Sequence, residues 1–167
     1  MKVADVADIK TAGVSIDKRI GRMIAFELAS MIFTRSQENL VNPIDWGSGR
    51  PSKLTDTGAL LASGRLIETV DNFTVRYNAS YASYVEYGTV PHYVPPRILA
   101  EWAQRKIGLS EKEAWSMAYA VSAKIGKEGT IPKHYLRDAL DWAMEEFIRR
   151  YSGKRIRINL NQKKFSD

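Results

Sequence analysis

The sequence has no cysteine and only two histidines in 167 residues. The first absence excludes disulfides, thiolate metal sites and a cysteine nucleophile, and it fits a reducing compartment. No apolar run reaches the length that spans a bilayer. The opening stretch MKVADVADIKTAG carries Asp5 and Asp8 and lacks the apolar segment of a signal peptide. A strong charge of either sign is also missing. Lys and Arg number 25 against 19 Asp and Glu, and the formal +6 permits contact with nucleic acid or an acidic surface without demanding it. Long repeats and low-complexity tracts are absent. What remains is the balance of a soluble globular protein, 44% hydrophobic and 26% charged, long enough for one domain with a sizeable core. The expected location is the cytoplasm, or a particle assembled there.

Residues 16–35 predict an amphipathic helix, with Ile16, Ile20, Met23, Ile24, Leu28, Met31 and Ile32 at three- and four-residue steps and Ser15 as N-cap. Phe26 and Phe33 fall toward a second side. Residues 36–63 show no period, and NPIDWGSGRPSKLTDTG reads as a long loop of the kind that is functional or ordered on binding. Trp46 and Leu54 lie in it and are expected to dock on a partner. Residues 65–80 predict a β-hairpin turning at Asp71–Asn72, with Phe73, Val75, Tyr77 and Ala79 alternating with polar residues. Tyr81, Tyr84 and Tyr87 then recur every third residue, a short helical turn that Gly88 stops.

Residues 97–107 predict a helix with Ile98, Leu99, Trp102, Ala103 and Ile107 on one side. Ser110 and Glu113 form a capping box that opens another helix, through about residue 124. A helix over 133–151 places Leu136, Ala139, Leu140, Ala143, Phe147 and Ile148 inward. RIRINL, residues 155–160, predicts a last strand beside the hairpin. The expected class is α+β in one domain over residues 1–167. A small antiparallel sheet, made of the hairpin and the C-terminal strand, packs against an N-terminal and a C-terminal helix, with a helical hairpin inserted at 97–125.

Three chemical readings compete with a scaffold. Glu86, His92 and His134 supply the residue types of a metal triad or of a small hydrolase, but no H-E-x-x-H or other ligand spacing is present. GSGRPSKLT, residues 47–55, lacks the glycine directly before the lysine of a phosphate-binding loop. The helices joined by Gly108–Ser110 have the order of a helix-turn-helix DNA-binding regulator, yet Glu111 and Glu113 would face the phosphates. No catalytic, cofactor or metal residue is assigned. The exposed aromatic turn suits a protein interface better, because Tyr offers contact area at low entropy cost. Tyr81, Tyr84, Glu86, Tyr87, His92 and Tyr93 are therefore the interface candidates, with Trp46 and Leu54 from the loop.

Three segments, LTDTGALLASG, YASYVEYGT and GTIPKHYLRDAL, resemble the signature blocks of the neck and tail-completion proteins of tailed double-stranded DNA bacteriophages. The matching positions are Asp56, Thr57, Gly58 and Leu60; then Tyr81, Ala82 and Tyr84 to Thr89; then Pro132, Tyr135, Leu136, Arg137, Ala139 and Leu140. Leu61 and Ala62 stand where many members carry an arginine, and the 97–125 hairpin stands where many have a short link. The resemblance implies a non-enzymatic virion protein of the head–tail junction. It would form a ring, a hexamer or a dodecamer, that joins the connector or head-completion protein to the tail terminator or tail tube. Genomic DNA would pass through the lumen without sequence-specific contact, and no cofactor or membrane would be involved.

Overall fold

The computed structural model describes residues 4–10, 18–45, 51–70, 72–152 and 159–161. In chain order the elements are β1 (Ala4–Lys10), α1 (Lys18–Val41), α2 (Ala59–Ser63), β2 (Gly64–Glu68), β3 (Asn72–Tyr77), α3 (Ala82–Tyr87), α4 (Pro96–Ile107), α5 (Glu111–Glu128), α6 (Tyr135–Tyr151) and β4 (Asn159–Asn161). The class is α+β, as expected. The chain divides into two compact units, one of residues 1–86 with 134–167 and the other of residues 87–133. Among the described residues, no helix is long and apolar enough to cross a membrane.

The first unit holds an antiparallel sheet in the order β2-β3-β1-β4. The hairpin forms as the alternation predicts, with Phe73, Val75 and Tyr77 buried. Its turn closes between Thr69 and Asn72, where Thr69 N donates to Asn72 O at 2.9 Å. Asp71 lies outside the described residues. The sheet departs from expectation at β1, which pairs with β3 and separates the hairpin from the C-terminal strand. That last strand pairs with β1 instead of the hairpin. A register shift between Asp5 and Ala7 makes Val6 an extra residue, and this bulge breaks the period-two pattern by which a strand is recognised. The sequence reading of residues 155–158 falls outside the described residues, as do Ser15 and Ile16 of the N-terminal helix.

Helix α1 runs six residues past the expected end at residue 35, to Val41. Its buried face is Ala25, Leu28, Ala29, Ile32, Ser36, Asn39 and Leu40. This face has helical spacing throughout, but two of its members are polar and hide the period. Ser36 Oγ lies 2.7 Å from Tyr77 Oη, and Asn39 Nδ2 donates to Tyr135 O at 2.9 Å. Met23, expected inside, is 70% exposed. Phe26 is half exposed and leans on Phe73, ring centroids 5.5 Å apart. Helix α6 packs along α1, burying Leu136, Ala139, Leu140, Ala143 and Phe147 as expected, while Ile148 points to solvent. Fully burying each large apolar side chain of this core contributes roughly 1.5–3 kcal/mol. The expected loop at 36–63 is shortened at both ends by α1 and α2, and an Ile44–Ser52 bridge pinches its middle.

The second unit is a helical hairpin, α4 and α5, joined through Gly108–Ser110. Ser110 N donates to Glu113 Oε2 at 3.0 Å, the expected capping interaction. Helix α5 continues through Gly126 to Glu128, beyond the predicted end. Its core is small: Ala100, Ala103, Ala114 and Ala118, surrounded by partly buried Leu99, Trp102, Leu109, Trp115 and Met117. Ile98 and Ile107, expected on the inner side of α4, are exposed. Alanines occupy the seam because they let the helix axes approach closely.

Candidate functional site

The hairpin delivers the chain to α3, whose tyrosines the sequence marks as a contact surface. Tyr81 is 41% exposed and Tyr84 61%. Tyr87 and Tyr93, in the second unit, are also exposed. Glu86 is different. Although a candidate interface residue, it is completely buried, and its contacts lie within its own chain.

The reason lies at the start of α6. The first N–H groups of a helix have no intrahelical acceptor, and the N-cap side chain ordinarily supplies one. Here the N-cap is His134, in the left-handed region at φ 47°, and its side chain makes no cap hydrogen bond. Glu86 takes over that task. Leu136 N donates to Glu86 Oε2 and Arg137 N to Glu86 Oε1, both at 2.9 Å. His134 N also donates to the Glu86 backbone oxygen, at 3.1 Å. The negative charge sits at the positive end of the α6 dipole. Burial pushes the Glu86 carboxyl above its ordinary value, while the two N–H donors and then nearby His134 pull it down; burial outweighs them.

The next residue of α6, Tyr135, is buried with its ring edge-on to Tyr77, centroids 5.1 Å apart. Tyr77 Oη in turn accepts from Gln37 Nε2 at 2.8 Å, besides its contact with Ser36. Burial pushes the Tyr77 hydroxyl up to about 12.

The D-T-G-x-L segment reaches the same region from the other side. A cleft of about 190 Å³ is lined by Leu40, Leu54, Thr55 to Leu61, Tyr81 and Val85. Leu54 is half-buried and packs against the core of the first unit. Trp46 lies outside the described residues. The parts of the three segments that belong to the first unit are thus neighbours: the first and second across this cleft, the second and third through Glu86.

A surface that the sequence did not suggest lies along α1 and α6. It is a groove of about 470 Å³ lined by Phe26, Glu27, Ser30, Met31, Thr34, Arg35, Glu38 and Trp142. The Arg35 guanidinium sits over the Trp142 ring at 5.1 Å, and Arg35 also pairs with Glu38. Phe26 is visible in the sequence as an off-stripe aromatic, but that it lines one groove with Trp142 needs the fold.

In the second unit, the two Gly-Thr segments face each other. Thr89 and Thr130 form an antiparallel bridge, each N–H donating to the other's carbonyl at 3.2 Å. His92 is exposed, with Nδ1 2.9 Å from Val90 O and 3.2 Å from Thr89 Oγ1. It braces a turn, whereas His134 starts a helix of the first unit. Among the described residues, no three His, Asp or Glu side chains form a group that could hold a metal ion. Comparison with family models, with curated proteins and with solved structures returns no match.

Proposed function

We propose that the protein is a structural, non-enzymatic subunit of the head–tail junction of a tailed bacteriophage, assembling as a ring around the DNA path and joining the connector to the tail. The observation that carries this reading is the convergence of the three signature-like segments. They lie far apart in sequence, yet the 190 Å³ cleft and the Glu86 cap bring them together. Segments that shape one local structure are segments a family would hold in common. The same arrangement leaves Tyr81 and Tyr84 exposed on the turn whose Glu86 caps α6.

A closed ring with head-to-tail contacts needs two different surfaces on each copy. The tyrosine turn serves as one. The groove bearing Phe26, Met31 and Trp142 serves as the other, since its surface is mostly apolar and the turn offers exposed aromatic rings. Against the DNA-reading alternative stands the acidic first turn of α5, where Glu111 and Glu113 are exposed and would repel phosphates.

Native mass spectrometry of the purified protein over a concentration series tests the proposal. Closed rings of a single stoichiometry are expected, and they should dissociate when Tyr84 is replaced by Arg. A monomer at every concentration that gives a salt-resistant, sequence-specific gel shift with duplex DNA would replace this reading by the regulator.

A further inference from the structure

The second unit leaves and re-enters the chain through a clasp. Besides the paired backbone bonds of Thr89 and Thr130, the two hydroxyls lie 3.0 Å apart, and Thr130 N is 3.1 Å from Thr89 Oγ1. The residues preceding them, Gly88 and Gly129, both have left-handed φ, 71° and 75°. A Cβ on Gly129 would meet Thr89 O at 1.9 Å, and one on Gly88 would meet Thr130 O at 2.3 Å. The strands touch only because neither glycine has a side chain.

Beyond the clasp, the buried core of residues 90–129 is small. The core is four alanines, which remove far less apolar surface from water than the leucines and aromatics of the first unit. The leading segment is tied to α5 by hydrogen bonds from Ser122 Oγ to Val94 O at 2.7 Å and from His92 N to Ile125 O at 3.4 Å. On the other side of the clasp, the first unit closes itself. Glu86 and His134 are joined by their own backbone bond, and Glu86 caps α6. Release of Thr89 from Thr130 therefore removes no hydrogen bond from α6.

We propose that the Thr89–Thr130 clasp gates a separate opening unit, in which residues 90–129 unfold and refold as one cooperative body while the sheet, α1 and α6 remain folded. Such sub-global opening belongs to segments with few buried apolar contacts. The clasp sets its equilibrium by closing the loop that the small core alone holds weakly.

Native-state hydrogen exchange of the full-length protein, read by mass spectrometry in low denaturant, tests this. Amides of α4 and α5 should exchange through a shared opening, well before those of α1 and α6. Gly129→Ala should speed exchange in α4 and α5 by at least about tenfold, because alanine is strained at positive φ and collides with Thr89. Exchange in α1 and α6 should not change. Equal acceleration in α1 and α6, a variant that fails to fold, a wild-type protein whose helices all exchange together, or no response to Gly129→Ala would each overturn the proposal.

Discussion

Glu86 concentrates two opposing effects on one side chain. Its carboxylate accepts two backbone N–H groups in a fully buried site, and that site also resists its charge. Glutamine keeps the shape but sets an amide N–H₂ against one of those donors. Glu86→Gln should lower stability by about 1–3 kcal/mol at pH 7, the cost of an unpaired buried donor, measured by urea denaturation. The pH dependence has a definite sign. The folded-state value is raised above the ordinary 4.5, so the residue favours folding most below that value. Its contribution then falls as pH rises through the folded-state value. The gap between wild type and Glu86→Gln should accordingly narrow from acid to neutral pH; a widening gap would mean that the two N–H donors outweigh burial. Tyr77 acts in the alkaline range by the same logic. With its hydroxyl pushed up to about 12 from 10.0, its contribution is complete below pH 10 and is lost as pH rises toward 12. Tyr77→Phe should cost about 0.5–1.5 kcal/mol near neutrality and should abolish that part of the alkaline loss.

At the scale of elements, the sequence reveals periods and conceals exceptions to them. The hairpin and α6 are legible because their buried positions, Phe73 to Tyr77 and Leu136 to Phe147, are apolar at regular steps. The last turns of α1 are not, since Ser36 and Asn39 are buried polar groups whose partners lie 41 and 96 residues away. Strand β1 is hidden by its bulge. Of the site, the tyrosine turn was visible as a spacing of three. Glu86 was visible as a residue but not as a cap, because its acceptor role depends on a helix start 50 residues downstream. The alanine seam of α4 and α5 misled in the opposite direction: Ile98 and Ile107 outrank alanine in hydrophobicity, yet close helix approach selects the smaller side chain. That seam makes a specific prediction. Ala103→Leu, at a wholly buried position, should destabilise the second unit by about 1–3 kcal/mol through overpacking. The measurement is the loss of α4 and α5 amide protection with α1 and α6 unaffected.

For the molecule as a whole, the ring proposal makes a demand that no single substitution can satisfy. If the contact is head-to-tail, Tyr84→Arg spoils one surface and leaves the groove intact, whereas Trp142→Arg spoils the groove and leaves the turn. Each variant alone should stay monomeric with a melting temperature near the wild type's. Mixed in equal amounts, they should form a heterodimer and no larger species, since each supplies the surface the other lacks. A mixture that remains monomeric would rule out this pairing of surfaces. The Glu86 cap also has a bearing on synthesis. The ribosome releases the chain from its N-terminus, so the carboxylate that completes α6 emerges well before the helix it must cap. The whole of residues 87–133 is made in the interval. Until that insert has left the exit tunnel, any sheet formed with α1 would lack β4, and the apolar face that α6 covers and the Glu86 carboxylate would still meet water. Helix α6 is the element that covers that face, and a pause in translation before residue 134 would prolong its exposure.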